Sequence, residues 1–561
     1  MKYVIIGAVA GGASTAARLR RLDEKAEIIL IEKGEYISYA NCGLPYYIGD
    51  VIKDRNKLFV QNATSFNQRF NITVRVNTEA IRIDKKKQCI ELFNSNTGER
   101  LIETYDKLVL SPGAIPVIPP FPGINLPGIF TVRNVKDTDL IKEAVNGQEI
   151  KHATVIGAGF IGLEMIENFH HLGISVTLIE RAEHVLPPVD FPIAAIAQKE
   201  LKRNAIQLML NTSVTGFSKS NTGRLLVEVA EKEAIETDLV ILSIGVKPNA
   251  KLAIDAGLTV GEFGGIVVDK YLQTSDPNIY AVGDVIEFAN PITAIVSPTY
   301  LAGPANKQGR ICATNIVHGN KQIYNGSINT AIVKVFDQTI ATAGLSERVL
   351  KQRNIPYVIS TTFGGSNAGY YPGAEQLVIQ LAFSPQNGTI LGAQVAGIKG
   401  VDKRIDVLSF LIQQTGTIYD LAEFEHAYAP PFSSAKDPLN MAGFVAENVL
   451  NGINKIYYWD QIDRLKTSVF LLDVRTEKEY EIGTIDGAKN LALDSIRERM
   501  GELPKDKVLA IFCKTGIRSY IAQRILVQNG FEVMNLSGGF DLWKICQDGR
   551  VDETMSLLEA K

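Results

Sequence analysis

Two cysteines stand in settings that suit sulfur chemistry. Cys42 lies in Ser38-Tyr-Ala-Asn41-Cys42-Gly-Leu-Pro45-Tyr-Tyr, where Pro45 suits a first helical position, so the thiol falls just before a helix start. Unpaired N–H groups and the helix dipole at such a place favour a thiolate, the form a sulfur nucleophile needs. The alternative is a buried structural thiol. Cys513 follows the buried-strand pattern Val508-Leu-Ala-Ile-Phe512 and opens Cys513-Lys-Thr-Gly516-Ile-Arg518-Ser519, which runs into a helix over Tyr520 to Gln528. A strand–loop–helix of this kind turns successive backbone N–H groups inward, a cradle for a thiolate or for the terminal sulfur of a persulfide.

Two glycine-rich turns point to nucleotide phosphates. In Gly7-Ala-Val-Ala-Gly11-Gly12, small residues at a strand-to-helix turn let a pyrophosphate approach backbone N–H groups and the positive end of the helix. Glu32, 20 residues beyond Gly12, is placed to accept hydrogen bonds from ribose hydroxyls. The second turn, Gly157-Ala-Gly159-Phe-Ile-Gly162, keeps strict GxGxxG spacing and leads to Glu180. A carboxylate there repels a 2′-phosphate and favours NADH, although Arg181 beside it could pair with the extra phosphate of NADPH. Two such folds in one chain suggest one bound flavin and one exchangeable nicotinamide.

These residues need several cores to position them. A chain of 561 residues, 46% hydrophobic and 21% charged, divides into three or four compact units. The net charge of −3 gives no long-range pull toward nucleic acid or anionic lipid. No apolar stretch has the length of a membrane span. Five scattered cysteines form no disulfide framework and no CxxC pair, which fits reduced thiols in the cytoplasm; the adjacent His170 and His171 face different sides of a helix, and no metal is expected.

Tyr3 to Glu32 and Ala153 to Glu180 share one strand–turn–helix–strand grammar, and Asp238 to Gly245 and Ile266 to Asp284 read as further strand-like runs. From Ala331 the pattern changes to strands (Ala331 to Phe336, Gln376 to Phe383, Ile390 to Val395) followed by helices (Asp402 to Gln414, Pro438 to Leu450), an α+β unit. Strands at Val469 to Asp473, Val508 to Cys513 and Glu532 to Leu536 alternate with helices in the last unit and predict a parallel sheet. The joint Asn451-Gly-Ile-Asn is short, so the tether is expected to be fixed.

With Thr274-Ser-Asp-Pro-Asn-Ile-Tyr-Ala-Val-Gly283-Asp284 beside the two glycine loops, the chain resembles the two-dinucleotide flavoprotein disulfide reductases. The resemblance implies FAD held with Gly283 and Asp284, a domain crossing at Leu110-Ser-Pro-Gly113-Ala, and a homodimer. It implies an α/β fold: a FAD-binding domain over 1–115 and 250–325, an NAD(P)H-binding domain over 116–249, and an α+β dimerisation domain over 326–450. Dithiol members carry a second cysteine shortly after the first; here it is missing, and the motif is similar to that of coenzyme A disulfide reductases. That likeness implies that Tyr370 and Tyr428 of a partner subunit assist Cys42, and that Ser14, Arg18, Arg21, Ser38, Asn41 and Lys436 contact coenzyme A. Phe70 stands where relatives carry a basic residue, with Arg69 beside it. Read by themselves, Arg18 and Arg21 are also compatible with a solvated helix face, and Tyr428 with a core aromatic.

The Cys513 loop, with Leu471-Leu-Asp473-Val-Arg475 and Leu536-Ser-Gly-Gly-Phe540-Asp, resembles rhodanese domains and implies a rhodanese-like unit over 456–561. Phosphatases of this loop style place one more residue between Cys and Arg, so Cys513 and Arg518 suit a smaller sulfur ligand. The expected activity is NAD(P)H-driven reduction of a small-molecule disulfide, persulfide or polysulfide through Cys42, coupled to sulfur handling at Cys513. Two other readings are an NADH oxidase or peroxidase using a Cys42 sulfenic acid, and a sulfur carrier or redox sensor.

Overall fold

A computed structural model describes residues 1–147 and 149–550. The chain divides into two bodies, one of residues 1–181 with 212–329 and one of 182–211 with the chain from Thr330 onward.

The first body holds two nucleotide folds. The β-branched segment Lys2–Ile6 is buried from Tyr3 on and lies at the centre of a parallel sheet, with Glu27–Ile31 on one side and Lys107–Leu110 on the other. Thr73–Arg75 and Ile279–Ala281 pair in parallel at the two edges. Burial on both faces explains why these strands read as continuous apolar runs. The second fold repeats the plan with His152–Ile156 at the centre, flanked by Ser175–Ile179 and Leu239–Leu242, with Ile129–Thr131 outside. Ala114–Pro116 runs antiparallel to Val246–Pro248, the crossing that the Gly113 segment leads into. The stretch from Ile266 to Asp284 is broken into Ile266–Val267 and Ile279–Ala281, because Asp269 accepts the N–H groups of Tyr271 and Gln273 and turns the chain between them.

In the second body, Ala331–Val335, Gln338–Gly344, Ile390–Gly397, Gln376–Phe383 and Val358–Gly365 form an antiparallel sheet in that order. Helices Val401–Gln413 and Pro438–Leu450 belong to the same unit. Between them lies an ion pair fully withdrawn from water: Arg404 Nη2 to Asp437 Oδ2, 2.8 Å, each side chain 1% exposed. Arg404 also donates to the carbonyls of Ser366 and Gly400, while Ser433 donates to Asp437.

The last unit is a parallel sheet in the order Ile456–Tyr457, Val533–Leu536, Leu509–Phe512, Phe470–Asp473 and Lys489–Asn490. Its attachment is firm. Tyr458 Oη donates to the Ile359 carbonyl at 3.2 Å and the Thr361 N–H to Ser537 Oγ at 3.1 Å. Helix Phe191–Arg203 also grips the end of helix Gly539–Gly549: Gln198 donates to the Gly549 carbonyl and Lys202 to those of Asp548 and Arg550.

Replacing one member of a buried pair strands the other. Arg404→Ala should therefore lower stability by about 3–5 kcal/mol, read by chemical denaturation of the whole chain. A loss below about 1 kcal/mol, the scale of an exposed pair, would show that Asp437 has other support.

Candidate active site

Both glycine turns work by the same contact. Gly7 has φ +93° and Gly157 φ +103°, and a Cβ on Gly12 or Gly162 would run into the carbonyl oxygen of Gly7 or Gly157 respectively. Helices Ala10–Leu22 and Phe160–His171 thus start hard against their strands. The two carboxylates match as well. Glu32 Oε2 accepts the Ala8 N–H at 2.9 Å and Glu180 Oε2 accepts the Ala158 N–H at 2.7 Å. Gly159 is the residue from which the second helix starts, and Arg181 is exposed.

Gly7, Gly11, Glu32, Gly113, Gly283 and Asp284 line one cavity of about 790 Å³. Burial raises the pKa of Asp284, with Arg133 opposing. Arg133 is a cavity residue that no motif marks; it is held by the Ala114 carbonyl at 2.5 Å. Asn41 also lines the cavity, and its Oδ1 is buried without a partner. An orphaned acceptor beside a volume of this size suits a large ligand with hydroxyl or amide donors, and a dinucleotide has them.

Cys42 sits in the turn Asn41–Gly43, followed by the short helix Leu44–Ile48 with Pro45 in its first turn. The residue is exposed, yet its thiol is pushed up from the ordinary cysteine range, first by desolvation against the walls around it and then by Glu164 and Asp284. This direction opposes the effect expected of the helix start alone. The helix is only five residues long, and the nearby carboxylates and loss of water outweigh the backbone N–H that works the other way. Glu164 lies on the second nucleotide fold's first helix, where Tyr46 Oη donates to its Oε1 at 3.4 Å. Burial pushes Glu164 up to about 7. Nothing in the local sequence joins Tyr46 to a residue 118 positions away. Ser38 adopts φ +45°, and its N–H donates to the Ala8 carbonyl at 2.8 Å, tying the cysteine segment to the first glycine turn.

Ser14, Arg18 and Arg21 share helix Ala10–Leu22. Ser14 Oγ donates to Asn306 Oδ1 at 2.5 Å. Arg18 is half-buried with its Nε unpartnered, and its pKa is lowered by desolvation and then by Arg310 and Arg21. Arg310, on helix Ala302–His318, thus joins a basic cluster that sequence reading missed. Arg20 is a structural residue: it is buried and donates to the carbonyls of Asp23, Glu24, Ala26, Phe70 and Asn71. Phe70 serves there through its carbonyl, and Arg69 is exposed.

In the second body Tyr370 and Tyr428 share a hydrogen bond, Oη to Oη, at 3.0 Å while remaining 76% and 47% exposed. Tyr428 is therefore not a core aromatic. The Ala368 N–H donates to the Pro430 carbonyl at 3.2 Å, which joins the two loops. Lys436 is exposed, beside the buried Asp437.

Cys513 follows the strand Leu509–Phe512; its Sγ accepts the Gly516 N–H at 3.1 Å and the Ser519 hydroxyl at 3.3 Å. The helix begins at Ile517, three residues before the expected Tyr520, so Arg518 and Ser519 are helical. Arg518, expected to contact substrate, is paired in the structure and also interacts with Cys513. Its guanidinium forks onto Glu479, 2.6 and 2.7 Å, and this pairing comes before Cys513 among the causes that raise its pKa. The supporting motifs clamp the same loop: the N–H groups of Phe540 and Asp541 donate to the carbonyls of Cys513 and Lys514, and Arg475, paired with buried Asp473, lies 4.0 Å over the Phe540 ring.

Comparison with known proteins agrees with this architecture. Residues 1–309 match the pyridine nucleotide-disulphide oxidoreductase model, 330–438 its dimerisation domain, and 457–546 the rhodanese-like domain. The chain is 36% identical over 453 residues to a coenzyme A disulfide reductase of Staphylococcus haemolyticus, covering 80% of this chain and all of that one. Two solved structures match nearly end to end. Reduced Bacillus anthracis CoADR-RHD superposes with TM-score 0.96 at 46% identity over 98% of both chains. A NAD-dependent persulfide reductase from A. fulgidus gives 0.91 at 36%, over 97% of this chain and all of that one. With two nucleotide folds, a matching dimerisation domain and a Cys513 loop at the end, the chain belongs to the pyridine nucleotide-disulphide oxidoreductase family and carries a rhodanese-like domain.

Proposed function

We propose that this protein uses NADH to reduce a sulfur–sulfur bond held at Cys42, with coenzyme A disulfide or a coenzyme A persulfide as substrate, and that Cys513 handles the sulfane sulfur. The observation that carries the reading is a free cysteine next to Asn41, a lining residue of the cavity shared by both ends of the first nucleotide fold. One thiol cannot close an internal disulfide, so its S–S bond must be made with substrate. Gly7, Gly11, Gly12, Glu32, Gly113, Gly283 and Asp284 are the residues to hold FAD, and Gly157, Gly159, Gly162 and Glu180 those to hold the nicotinamide nucleotide. Bound FAD supplies the two-electron relay between nicotinamide and sulfur.

The chain's own residues bind, orient and move protons. Ser14, Arg18, Arg21, Ser38, Asn41 and Lys436 are assigned to coenzyme A. The cationic Arg18 and Arg21 suit its phosphates. The Cys42 thiolate attacks one substrate sulfur, a new S–S bond forms at Sγ, and the departing thiolate takes a proton. Tyr370 and Tyr428 are the donors, contributed by a second copy in a homodimer. Their exposure, shared with the nearby Phe432 at 68%, supports a surface that another chain covers. For a disulfide the sum is RSSR + NADH + H⁺ → 2 RSH + NAD⁺.

A persulfide explains the fusion better than a plain disulfide, since reducing a disulfide leaves Cys513 without a task. Joining the two sulfur centres in one chain raises the effective concentration of transferred sulfur. Reduced thiols and NADH both belong to the cytoplasm, where we place the reaction.

Cys42→Ser is expected to abolish NADH-dependent reduction of every substrate, while Cys513→Ser slows only sulfane-sulfur substrates; equal rates for the Cys513 variant on all substrates would break the coupling. Rapid NADH consumption with oxygen alone would favour an oxidase instead. A second outcome concerns the Cys513 loop. Pairing with Arg518 holds Glu479 down to about 2, against 4.5 for a free glutamate, so its stabilisation is complete above the free value and is lost as pH falls through about 2. The thermal midpoints of wild type and Glu479→Gln should thus differ at neutral pH and converge in acid. A constant gap would assign the effect to packing.

A further inference from the structure

We propose that Glu164 is a proton store tied to the redox state of Cys42: it takes up a proton when Cys42 becomes a thiolate and returns it when substrate sulfur caps Cys42. The proposal rests on the reading of Cys42 as the redox thiol.

The geometry is a contact between two helices. Tyr46 lies on Leu44–Ile48, directly after Cys42, and Glu164 on Phe160–His171, the helix opened by the second glycine turn; the two helices pack together. The Tyr46 hydroxyl donates to Glu164, and among the described residues Glu164 has no ion-pair partner. The surrounding charges do not neutralise it. Its own helix adds Glu167 and ends in His170 and His171; on the cysteine side Tyr46 donates to it, and Glu164 in turn acts on Cys42 together with Asp284. Of the two strands packed beneath, Ser175–Ile179 has no titratable side chain, and His152–Ile156 has His152 alone, both ring nitrogens engaged by Thr237 and Thr177. Lys142, which reaches the far end of the short helix, is bound to Asp50 at 2.7 Å and to the Ile48 carbonyl at 2.9 Å.

A thiolate and a carboxylate that interact raise each other's proton affinity, so ionising the sulfur draws a proton to the carboxylate. NADH supplies two electrons and one proton: the electrons break the bond between Cys42 Sγ and the substrate sulfur and leave two thiolates, and the proton goes to Glu164, with the Tyr46 hydroxyl as its hydrogen-bonded neighbour. The released substrate thiolate takes one proton from solvent, and Glu164 gives up its own to the second departing thiolate at the next capping step, so that the sum is RSSR + NADH + H⁺ → 2 RSH + NAD⁺. Burial pushes Glu164 up to about 7 against the Tyr46 hydrogen bond, with Glu167 adding to burial, so the exchange runs near neutral pH.

Infrared difference spectroscopy of the holoenzyme tests this directly. Reducing the Cys42 mixed disulfide at pH near neutrality should produce a protonated-carboxyl band that Glu164→Gln lacks and Glu164→Asp retains. In parallel, the pH profile of Cys42 alkylation by iodoacetamide, resolved by mass spectrometry, should shift down by about one unit in Glu164→Gln, since a like charge has gone. A band that persists in Glu164→Gln, or identical alkylation profiles, would overturn the proposal. Turnover that survives Cys42→Ser would overturn the underlying reading together with it, and is recognised separately.

Discussion

Helix Ala10–Leu22 can begin where it does only because Gly12 has no side chain to strike the Gly7 carbonyl, and the same contact recurs between Gly162 and Gly157. Everything chemical in the first body is referred to these two crossings. They aim the first free N–H groups of each helix at one place, and the following strand returns a carboxylate, Glu32 or Glu180, to fasten the turn. Ser38 hangs on the Ala8 carbonyl, so the cysteine segment takes its position from the first crossing as well.

The two sulfur sites are built on opposite electrostatic plans. Cys42 is exposed, but partial desolvation and the carboxylates Glu164 and Asp284 raise its proton affinity. Around Cys513 the protein places donors: a backbone N–H, a hydroxyl, and a guanidinium steadied by Glu479. The first arrangement suits a sulfur that changes state during a cycle. The second suits one that holds an anionic sulfur and passes it on.

In the second body, buried ion pairs stand beneath the loops that carry Tyr370, Tyr428 and Cys513. Arg404 and Asp437 are buried between the segments bearing Tyr370 and Tyr428, so that two exposed phenols are held on a rigid base. A similar pair, Asp473 with Arg475, supports the segment that clamps the Cys513 backbone. Such pairs contribute little net stability compared with apolar packing, but they fix geometry, because displacing either partner exposes a bare charge to the interior.

Local patterns sufficed for the glycine turns, the parallel sheets and the strand–loop–helix around Cys513. Each depends on residues close in sequence, and strand–turn–helix units advertise themselves through β-branched runs and glycine spacing. Arg133, Arg310, Glu164 and Glu479 were invisible, since each acquires its role from a partner far along the chain. Cys42 illustrates the limit most plainly: its neighbours in sequence favour a thiolate, whereas desolvation, Glu164 and Asp284 raise its proton affinity. Residue types and their order determine which groups are available for chemistry. Only the tertiary structure decides how much water and which charges surround them, because proton affinity is set by distance and dielectric, and neither is written in the order of residues.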